Sequence, residues 1–144
     1  MKKIITKLLL FVSIICGIFT LSSCKSEVKV TENDEQTQNY IKQEYLNFYW
    51  SDREEYKLED VNIDYFLGIY DNAYVGQFSC HTLFAAAEWT EDIGGINFVY
   101  PNSQNILVYK NHKFYNLKYA YVCGILTLDN IKEIHRDFKK RYGR

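Results

Sequence analysis

The most constraining pattern in the chain is the stretch of residues 61–70, in which apolar side chains recur at every second position. These side chains belong to Val61, Ile63, Tyr65, Leu67 and Ile69. A period of two is typical of a β-strand with one buried face, because successive strand side chains point to opposite sides. Asp71 and Asn72 follow, and both tolerate the positive φ of a two-residue turn. We therefore predict a β-hairpin.

The hairpin prediction includes a register. A two-residue turn sets four pairs opposite each other: Ile69 and Tyr74, Leu67 and Gly76, Tyr65 and Phe78, and Ile63 and Cys80. One face of the hairpin is then apolar throughout. That continuity favours this register over a slip by one residue, which would move every side chain to the other face.

More strands are predicted after the hairpin. Residues 96–100 alternate in the same way, and residues 106–110 and 113–115 form two more apolar stretches separated by a tight turn. The stretch 81–92 contains helix-forming residues and a strand pattern at its end, so we expect a loop or helical turn and then a strand. Together these segments predict an antiparallel meander of four to five strands.

Helical spacing flanks the strands at both ends of the chain. Apolar residues between positions 34 and 50 recur three and four residues apart, which predicts an N-terminal helix. A short helix beginning at Leu117 is expected to end at Gly124, and Thr127 is placed to cap a further helix. The sequence therefore predicts an α+β domain with an N-terminal helix and a C-terminal helix pair.

The N-terminus has the pattern of an export signal, in which basic residues precede the apolar stretch 8–21. That stretch is shorter than the roughly 20 residues of a membrane-spanning helix, so we expect cleavage rather than a permanent span. The segment Leu21-Ser22-Ser23-Cys24 resembles the lipobox of bacterial lipoproteins, whose cysteine is lipidated and becomes the new N-terminus. An ordinary signal peptide with a nearby cysteine is the alternative.

Together with the change from polar to aromatic-rich composition at residue 40, the lipobox resemblance predicts three parts: a signal peptide at residues 1–23, lipidated Cys24 with a flexible polar tether through residue 39, and one aromatic-rich domain at residues 40–144. The tether is too polar to offset the entropy of ordering. Cleavage removes three lysines and no acid, so the formal charge changes from -1 to -4. This balance does not indicate nucleic-acid binding. The expected location is the cell membrane or outer membrane, outside the cytoplasm.

From residue 61 onward the chain is similar to a group of short, uncharacterised exported domains of bacteria and archaea. The resemblance covers residues 61–134 and is carried by residues 95–100 (GINFVY), 106–111 (ILVYKN), 114–117 (FYNL) with 120–121 (AY), and 124–127 (GILT) with 129–131 (DNI). The group has no established activity. The resemblance therefore implies no catalytic or binding residue.

Two cysteines remain in the domain after cleavage and lipidation of Cys24. Cys80 and Cys123 would lie where disulfides persist, so a disulfide between them is one candidate. Two separate thiols are the alternative, because Cys80 falls on the apolar hairpin face and Cys123 lies off the apolar face of its helix. His81 follows Cys80 but points to the opposite side of the strand, which makes a poor catalytic dyad.

Motifs that carry chemistry are missing from the sequence. It contains no CxxC, HxxxH, HExxH or GxSxG spacing, and Gly94-Gly95 does not open a helix as a phosphate loop would. We expect no metal, no cofactor and no catalytic residue. Acid clusters at residues 54–60 and 88–92 leave a carboxylate-dependent hydrolase as a weaker alternative, although solvated surface acids account for them more simply.

Aromatic residues are the remaining candidates for binding. Trp50, Tyr70, Trp89 and Tyr109 lie on or beside predicted elements, where exposed rings would stack on sugars or anchor a protein partner. Packing in the core is the alternative for these rings. We expect a membrane-anchored envelope lipoprotein that acts as a non-catalytic protein-interaction module, with glycan binding through exposed rings as the alternative. The sequence does not indicate an oligomeric state.

Overall fold

The computed structural model describes residues 26–143 and contains helices at both ends of a strand-rich centre. Its elements are α1 (Glu35–Tyr49), a 3-10 turn (Leu58–Asp60), β1 (Val61–Tyr70), β2 (Ala73–Cys80), β3 (Trp89–Ile93), β4 (Ile96–Tyr100), β5 (Ile106–Lys110), β6 (Lys113–Asn116), α2 (Leu117–Val122) and α3 (Leu128–Tyr142). The predicted α+β class, with an N-terminal helix and two C-terminal helices, is confirmed. The predicted signal peptide and Cys24 lie outside the described residues.

Side-chain caps define where the helices begin. The Asp34 carboxylate accepts a hydrogen bond from the Thr37 N–H at 2.8 Å, which satisfies a donor that the first turn of α1 leaves unpaired. Thr127 and Asn130 form a reciprocal capping box at the start of α3. The last helix ends where Gly143 adopts a left-handed φ of 66°. The predicted cap at Thr127 is therefore confirmed.

The strands form two sheets. The larger has the order β1-β2-β5-β6, with every neighbouring pair antiparallel, and the smaller is the β3-β4 hairpin. The chain leaves the larger sheet after Cys80 and builds the separate hairpin. It returns at Ile106 to pair with β2. Within the described residues, a four-stranded sheet and a detached two-stranded one therefore take the place of one continuous meander.

The register of the first hairpin differs from the predicted one. Ile69 does pair with Tyr74, but Gly76 pairs with Phe66, Phe78 pairs with Ile63, and Cys80 pairs with Val61. Two register shifts cause the difference, because Leu67 and Asp64 each add one unpaired residue to β1. A bulge of this kind also switches the face to which the following side chains point.

The reason for the wrong register is that both faces of the larger sheet are buried. On one face Tyr74 and Phe78 pack with Ile41 and Tyr45 of α1. On the other face an apolar core joins the sheet to the β3-β4 hairpin, α2 and α3, and its largest buried members include Phe98, Tyr100, Ile134 and Phe138. With apolar surroundings on both sides, β1 can send its alternating residues to either core.

The described part of the predicted tether is packed against the domain. Val30 is only 3% exposed, and its side chain belongs to the core beneath α1. The Tyr74 hydroxyl donates to Asn33 Oδ1 at 2.7 Å, and the Val28 N–H donates to Asn111 Oδ1 at 3.2 Å. The sequence predicts a tether through residue 39, whereas in the structure residues 26–34, which we call the strap, lie against the domain and residues 35–39 belong to α1.

Gly76 provides a test of this register. A Cβ atom at Gly76 would lie 2.8 Å from the backbone oxygen of Tyr65, so a side chain there forces the backbone to move. We expect Gly76→Val to lower the free energy of unfolding by about 1 to 3 kcal/mol. The control, Thr90→Val on an exposed position of β3, is expected to change it by less than about 0.5 kcal/mol. Urea unfolding of both variants measures the difference, and equal stabilities would contradict the observed pairing.

Candidate functional site

The four aromatic residues singled out from the sequence do not form an exposed row. Tyr109 is fully buried, and the other three are half-buried. The Trp89 ring stacks on Tyr100 at a centroid distance of 4.1 Å, and its indole N–H donates to the Asn102 carbonyl at 2.7 Å. Trp50 packs against Tyr56 at 4.9 Å. Tyr109 is buried, so the prediction that it belongs to a binding surface is wrong; for the half-buried Trp50, Tyr70 and Trp89 it stays a prediction.

Other large apolar side chains are exposed instead, and most of them lie on α1 and α2, the two helices that contact β6. These are Tyr40 (38% exposed), Phe48 (45%), Tyr49 (42%), Tyr119 (53%) and Val122 (70%), whereas Leu83 (99%) and Leu128 (36%) lie elsewhere. Exposed apolar groups that lie close to an open strand edge are candidates for an interaction surface. Sequence reasoning missed them because their neighbours on the same helices are equally apolar.

On one side of β6, two exposed rings of α1 lie over a buried ring of the strand. Phe48 and Tyr49 contact each other with their centroids 4.9 Å apart, and each lies 5.8 Å from the ring of Phe114. Phe114 is 5% exposed and connects them to the core. The exposed rings are therefore held by packing rather than free to rotate.

On the other side of β6, the rings belong to the strand itself and to α2. Tyr115 and Tyr119 stack with centroids 5.9 Å apart and planes within 13°. Val122 follows one turn later on α2. Neighbouring strand residues point to opposite faces, so Phe114 and Tyr115 lie on opposite sides of β6 and aromatic rings are present on both.

The strand between these rings is at the edge of its sheet. β6 pairs with β5 through four regular residue pairs, and nothing in residues 26–143 pairs with its outer side. An open edge presents backbone N–H and C=O groups that can bind another strand. We name this region the β6 edge surface, and it consists of the open side of β6 with Phe48, Tyr49, Tyr115, Tyr119 and Val122, while Phe114 is buried beneath Phe48 and Tyr49.

A polar cluster connects the N-terminal strap to the β5-β6 turn. His112 Nδ1 lies 2.8 Å from Glu44 Oε2, and the Tyr109 hydroxyl donates to the same oxygen at 3.1 Å. His112 Nε2 lies 3.4 Å from the carbonyl oxygen of Ser26. Tyr40 completes the cluster, with its hydroxyl 3.5 Å from both Tyr109 and His112. These contacts connect the strap, α1 and the β5-β6 turn.

A second histidine lies beside the acid cluster of residues 54–60. His81 Nε2 is 2.9 Å from Asp60 Oδ1, and its ring stacks on Tyr56. The backbone hydrogen bond from Lys57 and the contact with His81 lower the pKa of Asp60. Burial, together with the Asp60 charge, raises the pKa of the Cys80 thiol, so this neighbour of His81 is a weak nucleophile.

The acid clusters do not form a facing pair of buried carboxylates. Glu54, Glu55 and Glu59 are exposed, and Asp60 is occupied by His81 and the Lys57 N–H. Glu91 accepts a hydrogen bond from the Tyr100 hydroxyl at 3.4 Å. Across the part of the chain that the structure describes, no group of three or more His, Cys, Asp or Glu residues is arranged to hold a metal ion.

Both domain cysteines are free thiols, so the predicted alternative of a disulfide is wrong. Cys80 is buried at the end of β2, in the core beneath α1. Cys123 is exposed and caps the end of α2, which packs on the opposite face of the sheet. The sheet separates the two sulfur atoms, and a bond between them would require a large backbone movement.

Comparison of the chain with family models, with curated proteins and with solved structures finds no match. Between residues 26 and 143, no helix is both long enough and apolar enough to cross a membrane. The geometry of the β6 edge surface and the sequence of the N-terminus are therefore the features that bear on function.

Alkaline pH provides a test of how the tyrosines are packed. Burial, with a further effect of Glu133 and Asp137, raises the pKa of Tyr70 to about 12. The unfolded chain ionises this phenol near pH 10, so the stability that the neutral phenol contributes is complete below pH 10 and is lost as the pH rises to about 12. We expect the urea midpoint to fall over this range.

Tyr70→Phe tests the assignment, because the Tyr70 hydroxyl makes no hydrogen bond with any described residue. The variant is expected to match the unchanged protein at neutral pH and to lose less stability in alkali. An equally steep alkaline decline in both proteins would show that the Tyr70 phenol ionises as freely in the folded chain as in the unfolded one.

Proposed function

We propose that this chain is a lipid-anchored, non-catalytic module of the bacterial cell envelope that binds a protein partner through the β6 edge surface. The observation that carries the binding proposal is that aromatic rings flank one open strand on both sides. Phe48 and Tyr49 are exposed on one side, and on the other side exposed Tyr119 stacks on half-buried Tyr115. Open strand edges bind extended segments through backbone hydrogen bonds, and flanking pockets and rings select side chains.

A protein partner suits this surface better than a glycan. The glycan alternative requires an exposed row of rings that includes Trp50, Trp89 and Tyr109, and these rings are half-buried or buried. The rings at β6 instead border a hydrogen-bonding edge, and aromatic residues held by packing are frequent anchors in protein interfaces. An exposed ring that is already held by packing loses little conformational entropy on binding.

The anchoring part of the proposal is supported by the sequence Leu21-Ser22-Ser23-Cys24 after an apolar leader. Two or three acyl chains on one cysteine hold a soluble domain stably on a bilayer, whereas one chain gives marginal binding. Lipidation of Cys24 would thus be a sufficient anchor. The domain would face the extracytoplasmic side of the cell membrane or the outer membrane.

Cys24→Ser tests the anchor. The variant is expected to lose radiolabelled palmitate and to move from the membrane fraction to the soluble fraction of bacterial cells. Cys123→Ser is the matched control, since it removes an exposed sulfur from the domain and leaves the lipobox intact. Continued labelling and membrane association of the Cys24→Ser protein would contradict lipidation at this residue.

Photo-crosslinking tests the binding surface. A benzophenone amino acid replaces Phe48 in one full-length protein and Tyr119 in another, and it replaces Leu83, which is 99% exposed in the 81–88 loop, in the control. We expect illumination of cells to give the same discrete protein adduct from both β6 positions and none from the loop. Adducts that are equal at all three positions, or missing at both β6 positions, would contradict binding at this surface.

A further inference from the structure

The strap before α1 is fixed at one end of the larger sheet. This end, which we call the turn end, consists of the two tight turns at residues 71–72 and 111–112, which are joined by an ion pair between Lys110 and Asp71 at 3.5 Å. Asn111 Oδ1 accepts from the Val28 N–H, and His112 lies against the Ser26 carbonyl. Buried Val30 anchors the strap further along. The path of the chain at Ser26 is therefore set by the fold.

A short length of chain separates this fixed point from the proposed lipid. Cys24 precedes Ser26 by two residues, and an extended chain covers about 3.5 Å per residue, which gives a reach of about 7 Å. The polar headgroup layer on each side of a bilayer is of a similar thickness, roughly 5 to 8 Å. Acyl chains inserted in the bilayer therefore bring Ser26, and with it the turn end, to the headgroup layer.

From this length we propose that the turn end of the lipidated protein contacts the phospholipid headgroups. The short strap keeps the protein in this orientation. The inference rests on the proposed lipidation of Cys24 and adds the surface that meets the membrane. Among exposed residues of this region, Lys29 and Lys113 are basic while Glu27 and Asp71 are acidic. Because acidic and basic residues occur together here, net charge does not bring the turn end to the membrane. The short length of chain between Cys24 and Ser26 does.

This orientation also positions the β6 edge surface. β6 begins at Lys113, directly after the turn at residues 111–112, and leads away from the turn end. Its four residues rise by about 13 Å. The β6 edge surface therefore extends away from the bilayer surface and lies within reach of a protein attached to the same membrane.

The test uses the mature chain, residues 24–144, with the thiol of Cys24 coupled to a maleimide phospholipid in nanodiscs. Cys123→Ser prevents a second coupling, and Cys80 is buried. A gadolinium-chelating lipid in the nanodisc broadens amide signals of the ¹⁵N-labelled protein that lie near the headgroups. We expect strong broadening at Asn72 and Asn111 and little at His81 and Asn105, which lie at the opposite end of the sheet.

A matched pair of insertions tests whether the short chain between Cys24 and Ser26 causes the orientation. A long Gly/Ser linker between Lys25 and Ser26 leaves every described contact in place but removes the limit on reach, so the difference between the two ends should disappear. The same linker after Arg144 should leave it unchanged. Uniform broadening in the parent protein, strongest broadening at another surface, or a gradient that survives the first insertion would overturn the proposal.

The maleimide coupling makes this test independent of the cell. A failure of lipidation is detected by the palmitate labelling of Cys24 variants, and a failure of partner binding by the crosslinks at Phe48 and Tyr119. A wrong orientation is detected in the nanodisc alone, where the anchor is supplied chemically. Lipidation, partner binding and membrane orientation are therefore tested separately.

Discussion

The structure depends on one constraint, which is that its larger sheet is buried on both faces. Strand β2 carries this constraint, because Ala73 and Val75 point into the core shared with α2 and α3, while Tyr74 and Phe78 point into the core beneath α1. A strand with two apolar faces needs a covering layer on each side. The N-terminal strap and α1 supply one layer, and the β3-β4 hairpin with the C-terminal helices supplies the other.

The same constraint explains which parts of the fold the sequence could predict. Local signals were sufficient for the turns at Asp71-Asn72 and Asn111-His112, whose φ values are all positive, and for the cap at Thr127. The register of β1 could not be derived, since bulges at Asp64 and Leu67 change faces without leaving an apolar side chain exposed. Composition also did not predict that the strap packs on the domain. Val30 is buried because residues far away in sequence form the core beneath α1.

The candidate site shows a similar limit. The sequence indicated that aromatic side chains would matter, but a ring on a strand or helix has the same local pattern whether it is buried or exposed. Tyr109 is buried against Tyr40 and Glu44 of α1, far away in sequence, whereas Tyr119 is 53% exposed. Exposure of a ring is a property of the assembled layers. A sequence without tertiary contacts cannot rank these rings.

The two edges of the larger sheet are not equivalent, and this difference limits how the domain can assemble. β1 is interrupted by two bulges, and Arg141 Nη1 donates to the Asp64 carbonyl at 3.0 Å along its outer side. Irregular and covered edges resist the addition of another strand. Of these two edges, β6 has regular pairing up to its open side. The larger sheet is thus monovalent with respect to strand addition: a strand can be added at β6 but not at β1, so copies of the chain cannot join β6 to β1 into a continuous fibre.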